Sequence, residues 1–294
     1  MRVSLLDLDI CVYHCSSTCS NETNFDTVKY TVDQFIRGWI AISGGTHYMG
    51  FLTDSPQNFR ETRAITLPYK GDRKFKDKPS WYPAIRDYVI AEWKAQLMVG
   101  VEADDALAIM QTHFNREGIE SVIVTEDKDL LQVPGLHYNK TKSDTVFRLN
   151  EEQCHKLLWE QVITGDRVDN IPGVSHAISE TTTGSYNLSI KALDIDAKEK
   201  LAQYKRLSHI ELYGPKGAES YLSDYPPEEW PARVWELYVD KYEDPLLEDS
   251  RGTERFYETF DLIYMLREKP EDLELSYEIH EVPTDHITKL FDFY

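Results

Sequence analysis

Residues 3–8 read VSLLDL and residues 121–125 read SVIVT, and both runs are short and almost wholly apolar. Runs of this kind are typical of strands that are buried inside a sheet. Apolar side chains at helical spacing follow over residues 26–42, and a second predicted strand occupies residues 46–53. Strand and helix alternate through the first half of the chain, so we expect an α/β fold with a mostly parallel central sheet and flanking helices.

The same patterns assign the rest of the chain. Further helices are predicted over residues 84–98, 102–115 and 151–164, the last capped by Asn150. Shorter strands are expected near residues 136–139 and 145–149. From about residue 175 the pattern becomes mainly helical, so we expect a nuclease-sized α/β core over 1–174 and a helical region over 175–294.

The charge of the chain is unevenly distributed. The net charge of −19 argues, as a sum, against nucleic acid as a partner, because phosphate binding depends on Lys and Arg. Residues 69–78, YKGDRKFKDK, nevertheless contain five basic and two acidic residues with interleaved aromatics. A local basic path can therefore exist on an otherwise acidic protein.

Two features of the sequence concern its location. No apolar run approaches the length of a transmembrane helix, so no membrane partner is expected. The N-terminal MRVSLLDLDI carries aspartates where a signal peptide needs an unbroken apolar run. We expect a cytoplasmic monomer, in the host cytoplasm if the source is viral.

The four cysteines favour reduced thiols over a zinc site. Cys11, Cys15 and Cys19 are four residues apart and could line one face of a helix, whereas Cys154 is remote. His14 could supply a fourth zinc ligand, but the spacing matches no common zinc motif. Buried, reduced thiols are the simpler interpretation.

Acidic residues follow most of the predicted strands or open helices. They are Asp7 and Asp9; Asp54; Glu102, Asp104 and Asp105; Asp127 and Asp129; and Asp166 with Asp169, which a helical turn would place on one face. The carboxyl ends of parallel strands share one edge of a sheet, so these acids are expected to converge there. Taken singly, each acid could be a helix cap or turn former, and Asp9 fits that alternative best.

Converging carboxylates need a counter-charge, because like charges raise each other's pKa. Hard divalent cations such as Mg²⁺ or Mn²⁺ prefer oxygen ligands. Two such ions roughly 4 Å apart can activate a water and stabilise the leaving oxygen of a phosphodiester. The pattern therefore predicts a metal-dependent phosphodiester hydrolase.

The acids also lie in recognisable blocks. These are LLDLDICVYH (5–14), FLTDSPQNFR (51–60), LPYKGDRK (67–74), VEADDALA (101–108), VTEDKDLLQV (124–133) and ITGDRVDNIPGV (163–174). In this order they resemble the FEN-type 5′ nuclease family, which includes phage 5′→3′ exonucleases and the 5′-nuclease domain of bacterial DNA polymerase I. The resemblance implies a PIN/FEN-like core with a helical arch over about residues 68–98.

Carried over residue by residue, the resemblance implies a division of roles. Asp7, Asp54, Glu102 and Asp104 would hold the catalytic metal, with Asp105 in support. Asp127, Asp129, Asp166 and Asp169 would hold the second metal or its waters. Lys70 and Arg73 would contact the scissile phosphate from the arch, although Lys70 taken alone could be a solvated surface lysine.

Candidate DNA contacts lie in the basic segment and beyond residue 172. Tyr69, Lys74 and Lys76 are expected to grip a single strand by charge and stacking. Family members continue from NIPGV into a helix-hairpin-helix element that binds DNA, often with a K⁺ ion. Here the fit returns only at YGPKGAESYL (213–222), so an insertion at about 175–212 interrupts the hairpin. Gly173, Gly214, Lys216 and Gly217 are candidate contacts in its two halves, although Gly214 and Gly217 also fit an ordinary helix start.

The expected activity is hydrolysis of DNA at 5′ ends, flaps or nicks by a two-metal mechanism, in phage replication or primer removal, where RNA–DNA hybrids are also substrates. Exonuclease and flap endonuclease action remain alternatives. One rival is a PIN-type ribonuclease, which shares the fold. The other is a non-catalytic acidic protein that binds Ca²⁺ or mimics DNA, but mimicry does not require acids at strand ends inside apolar blocks.

Overall fold

The computed structural model describes residues 1–71, 77–174, 214–242 and 252–283. Arg73, Lys74, Lys76 and the predicted insertion at 175–212 lie outside these residues. The chain forms two compact units. The first comprises the described residues of Met1–Phe59, Asp77–Cys154 and Met265–Tyr294, and the second those of Arg60–Lys76 and His155–Tyr264. These limits differ from the boundary at residue 174, which stays a prediction about functional regions.

Strands and helices alternate through most of the first unit. The strands are β1 (Arg2–Asp7), β2 (His47–Asn58), β3 (Gln96–Gly100), β4 (Glu120–Val124), β5 (Gly135–Tyr138), β6 (Phe147–Leu149), β7 (Gly165–Asp166), β8 (Ile171–Pro172) and β9 (His280–Glu281). The α-helices are α1 (Leu8–Thr18), α2 (Phe25–Ser43), α3 (Phe59–Arg63), α4 (Tyr82–Glu92), α5 (Ala103–Glu117), α6 (Glu151–Thr164), α7 (Pro215–Ser223), α8 (Trp230–Tyr242) and α9 (Gly252–Ile263). Short 3₁₀ helices span Asp129–Gln132 and Pro227–Glu229.

The central sheet of the first unit has the order β3-β2-β1-β4-β5-β6, with β9 paired to β2. β1 to β5 are mutually parallel along this path, whereas β6 and β9 pair antiparallel. The expectation of a mostly parallel α/β sheet is therefore confirmed. Parallel order brings the carboxyl ends of β1, β2, β3 and β4 to one edge, which is where the acidic residues follow.

Both faces of this sheet are covered. Val3 and Leu5 of β1 pack with α5, whereas Leu6 packs on the opposite side with α1, α2 and α4. All three side chains are fully buried. A strand that is buried on both faces needs a continuous apolar run, which explains why VSLLDL does not alternate with polar residues.

Three predicted elements differ from the structure. The helix predicted over 84–98 ends at Glu92, and β3 follows it, because Lys94 takes a left-handed φ of 51° that turns the chain. Asp9 lies in the first turn of α1 and not in β1. β2 continues past Asp54 to Asn58, but its pairing with β3 is irregular between Thr53 and Asn58, so Asp54 stands where regular pairing breaks.

The second unit is mainly helical. Side chains of α6, α7, α8 and α9 form its core, with Trp159, Val162 and Tyr238 among the buried residues. The β7–β8 pair makes a short antiparallel hairpin. Among the helices that the structure describes, none is long and apolar enough to cross a membrane.

Candidate metal centre

Asp7 is the central acid of the candidate site in the first unit. It is the last residue of β1 and the N-cap of α1, and its side chain is 3% exposed. Its carboxylate accepts hydrogen bonds from the Thr125 hydroxyl at 2.7 Å and the Ile10 amide at 3.4 Å. Burial raises the pKa of Asp7 to about 7, and the charges of Asp9 and Asp127 raise it further than the two hydrogen bonds can lower it. The carboxyl therefore stands in an uncompensated negative field.

Asp9 belongs to this site, although the sequence favoured a capping role for it. One of its carboxylate oxygens accepts the Thr53 amide at 2.9 Å. Burial raises the pKa of Asp9, the Thr53 hydrogen bonds and Arg86 lower it, and the charge of Glu102 raises it. Asp9 is thus coupled electrostatically both to Asp7 and to the start of α5.

Arg86 is the cation at this edge that the sequence did not single out. It lies on α4, and its guanidinium is 3.4 Å from Asp54 Oδ1 and 4.0 Å from Asp9 Oδ1. Only 18% of the Arg86 side chain is exposed. No local motif marks this arginine, because its partners come from α1 and β2.

The first turn of α5 contributes three acids. Glu102 is the N-cap residue, and its amide donates to Asp105 Oδ2 at 3.1 Å. The other Asp105 oxygen accepts the Leu266 amide at 3.1 Å, and Asp105 is fully buried. Asp105 therefore braces the helix start, which agrees with a supporting role, whereas Asp104 is half-buried in the same turn. Thr53 joins this turn to Asp9, since its hydroxyl accepts the Ala103 amide at 2.9 Å.

Asp127 and Asp129 follow β4. Asp127 Oδ1 accepts the Asp129 amide at 2.8 Å, and the Asp127 amide donates to the Thr125 hydroxyl oxygen at 2.9 Å. Asp129 opens a 3₁₀ helix and pairs with Lys128 at 3.1 Å. Thr125 therefore links Asp127 to Asp7, because its hydroxyl donates to one acid and accepts from the amide of the other.

The first unit thus brings together part of the predicted set. Mutual charge effects join Asp7 to Asp9 and Asp127, and Asp9 to Glu102, while Arg86 joins Asp9 to Asp54. In the described residues, however, no three Asp, Glu, His or Cys side chains are placed as a ready ligand set for a metal. The oxygens are instead directed toward amides, hydroxyls and Arg86. This also removes the zinc interpretation of the cysteines, whose thiols are free and buried.

Asp166 and Asp169 lie in the second unit, on a hairpin turn and not on a helix. Asp166 Oδ1 accepts the amides of Val168 at 2.6 Å and Asp169 at 3.2 Å, and this arrangement shapes the β7–β8 turn. Asp169 Oδ2 lies 3.6 Å from Lys70 Nζ and accepts the Tyr69 hydroxyl at 3.4 Å. Both acids are buried. The predicted helical turn was wrong, but the two residues still lie close together.

The predicted DNA contacts of the second unit have structural roles of their own. Tyr69 is 4% exposed within the core, so its ring offers no face for base stacking. A Cβ on Gly173 would lie 2.3–2.4 Å from backbone atoms of residues 163–165, which explains the glycine by close packing. Gly214 is the N-cap of α7 and Gly217 lies inside that helix, with Lys216 exposed beside it. This is the ordinary helix start, and a tight turn at these glycines was the wrong alternative.

The family model of the 5′-3′ exonuclease N-terminal resolvase-like domain matches residues 12–158, which is half of the chain. The chain belongs to this family. It is 33% identical to the thermostable DNA polymerase I of Thermus aquaticus over 142 residues, which cover 40% of this chain and 16% of that protein. It is 27% identical to the 5′-3′ exonuclease of Aquifex aeolicus over 257 residues, covering 81% of this chain and 65% of that one. This chain therefore matches only part of each relative's length.

A solved structure shares the fold. The bacteriophage T5 flap endonuclease, crystallised as a pseudo-enzyme-product complex with DNA and metal ions, superposes with a TM-score of 0.50 at 13% identity. The match covers 89% of this chain and all of that chain. At this identity the likeness concerns the fold, and it agrees with the parallel sheet described above.

Proposed function

We propose that this protein is a divalent-metal-dependent nuclease that hydrolyses DNA from or near a 5′ end, as a 5′→3′ exonuclease or flap endonuclease. The observation that carries the proposal is the electrostatic state of Asp7. A buried carboxylate at the carboxyl edge of a parallel sheet, beside further acids, is a favourable site for a hard cation. That edge lies within the segment that matches the exonuclease family.

The donor chemistry of this edge fits Mg²⁺ or Mn²⁺. The candidate ligands are carboxylates, and neither a thiol nor an imidazole accompanies them. We assign Asp7, Asp54, Glu102 and Asp104 to one metal, and Asp127, Asp129, Asp166 and Asp169 to the second metal or its waters. Bound there, the metals would activate water and neutralise charge on the phosphate.

The chain's own residues prepare this chemistry. Thr125 holds Asp7 and Asp127 in fixed orientations through one hydroxyl. Thr53 does the same for Asp9 and the start of α5. Arg86 compensates the charge of Asp9 and Asp54 and would yield that role when a metal binds. Lys70 and Arg73 would supply positive charge to the scissile phosphate.

The substrate is expected to be DNA with a 5′ end, a flap or a nick, or an RNA–DNA hybrid in primer removal, with phage replication as the setting. A cytoplasmic monomer is part of the same proposal. A K⁺ ion at the hairpin also stays a prediction, because the segment between Gly173 and Gly214 lies outside the described residues.

The test uses a 5′-labelled flap and a nicked duplex, incubated with Mg²⁺ or with EDTA. Wild type is compared with Asp127→Asn and with Asp144→Asn, an exposed aspartate of the same unit that serves as the matched control. Cutting by wild type and D144N that requires Mg²⁺ and is lost in D127N supports the proposal, and product length separates flap cleavage from stepwise digestion. Cutting of RNA alone would support the PIN-type ribonuclease. If no nucleic acid is cut with any divalent metal, the chain is a binding protein.

A further inference from the structure

The backbone at Lys70 is strained and must be held by its surroundings. Lys70 has a φ of 49°, in the left-handed region that residues with a side chain rarely adopt. Its amide donates to the Asp169 carbonyl at 2.9 Å, and the Asn170 side-chain amide donates to the Pro68 carbonyl at 2.9 Å. Asn170 is itself left-handed, with a φ of 63°. The segment that carries Lys70 is therefore fastened on one side by the β7–β8 turn.

Glu258 fastens the same segment on the other side. One of its oxygens accepts the amides of Ile65 and Thr66, each at 2.6 Å. The second oxygen accepts the Thr66 hydroxyl at 2.6 Å. The residue is 8% exposed on α9. Hydrogen bonds to a charged acceptor are shorter and stronger than neutral ones, so this triple contact is a firm attachment.

The two attachments belong to one closed circuit. The Thr259 hydroxyl, next to Glu258 on α9, donates to the Pro172 carbonyl of β8 at 3.0 Å. A single helix thus holds both the segment before Lys70 and the strand after Asp169. The circuit runs from α9 to residues 65–66, through 68–70 to 169–170, and through Pro172 back to α9, entirely within the second unit.

We propose that Glu258 is a positioning residue for Lys70, and that it acts by fixing the backbone four to five residues before it. The inference rests on the role proposed above for Lys70 in DNA hydrolysis. Glu258 lies outside residues 12–158, the segment that the family model matches. Misplacement of a charged group by about 1 Å can reduce a rate about 100-fold, so the holding of this backbone matters for catalysis.

The first experiment measures the attachment without using activity. Hydrogen exchange of peptides covering residues 64–70 is compared between wild type, Glu258→Ala and Glu258→Gln. We expect exchange to be at least about 10-fold faster in E258A, because two amides lose their acceptor. E258Q should retain most of the protection, since its amide oxygen still accepts both N–H groups and its NH₂ can donate to Thr66. Unchanged exchange in E258A would overturn the proposal.

The second experiment is a double-mutant cycle on flap cleavage. E258A is expected to lower kcat about 10- to 100-fold with little change in KM, and E258Q to restore most of it. In a Lys70→Ala background, E258A should change kcat less than about 2-fold, because its effect passes through Lys70. Equal losses in both backgrounds would mean general destabilisation and would contradict the proposal. Glu254→Ala, an exposed acid one turn earlier on α9, is the matched control and should behave as wild type.

Two provisions keep the test decisive. If E258A does not fold, Thr66→Val removes only the hydroxyl contact, and a kcat loss of about 3-fold that vanishes beside K70A supports the proposal, whereas no loss overturns it. If wild type cuts no DNA with any divalent metal, the proposed function fails. Hydrogen exchange then still decides whether Glu258 holds the Lys70 segment.

Discussion

Asp7→Asn is expected to stabilise the metal-free protein while abolishing nuclease activity. Burial and the charges of Asp9 and Asp127 raise the pKa of Asp7 to about 7. The folded protein therefore holds a proton on Asp7 that the unfolded chain, with an ordinary Asp pKa, has already released. The free energy of unfolding falls as pH rises from about 4 to about 7, and the loss is complete above that range. Asn is neutral at every pH and escapes this loss.

The magnitude follows from the difference between the two pKa values. A rise from 3.8 to about 7 corresponds to on the order of 4 kcal/mol at high pH. Asn can still accept the Thr125 hydroxyl, but it loses the charge and the 3.4 Å bond at the start of α1, which costs about 1–2 kcal/mol. The expected net gain near pH 8 is about 2 kcal/mol, or a melting temperature about 5 °C higher.

The assay is thermal unfolding of wild type, D7N and D144N in EDTA between pH 5 and 8. The difference between D7N and wild type should be small or negative near pH 5 and should grow toward pH 8, whereas D144N should track wild type. Added Mg²⁺ should raise the melting temperature of wild type more than that of D7N. A D7N protein that is less stable than wild type at pH 8 in EDTA would refute the electrostatic account of Asp7.

Three further substitutions probe other parts of the structure. Arg86→Gln removes the cation between Asp9 and Asp54, so the midpoint of a Mg²⁺ titration followed by melting temperature should fall about 3- to 10-fold; an unchanged midpoint would show that Arg86 does not oppose metal binding. Asp105→Ala leaves two buried amides without acceptors and should cost about 2–4 kcal/mol by denaturant unfolding in EDTA, with D105N costing about half; equal costs would contradict this account. Gly173→Ala forces a Cβ into the backbone of residues 163–165 and should cost about 3 kcal/mol or more, and a melting temperature within 2 °C of wild type would disprove that packing argument.

The sheet and most of its acids could be predicted because their signals are local. The β1 and β4 runs are too apolar for exposed strands, and Asp7 and Asp127 directly follow the buried segments. Parallel order then brings strand ends to one edge without any knowledge of individual contacts. The Asn150 cap was also visible locally, and its side chain accepts the Gln153 amide at 2.8 Å as predicted.

The missed features depend on contacts between distant parts of the chain. Arg86 meets Asp54 only because α4 packs against α1, and nothing in its own neighbourhood distinguishes it from other helical arginines. Glu258 reaches Thr66 across 192 positions of sequence. β3 was assigned to a helix because AQLMVG carries apolar residues that fit both periods, and the left-handed Lys94 that separates helix from strand has no sequence signature.

The two units also bear different physical costs, and this separates what their mutations should do. In the first unit the cost is electrostatic, since Asp7 is kept among other acids and is relieved by a proton or by a cation. In the second unit the cost is conformational, since Lys70 is kept in a left-handed backbone and is held by Asp169 and by Glu258. Neutralising an acid such as Asp7 should therefore raise stability as activity is lost. Removing an acceptor such as Glu258 should lower activity without any gain in stability, because the acceptor stabilises the conformation that catalysis needs.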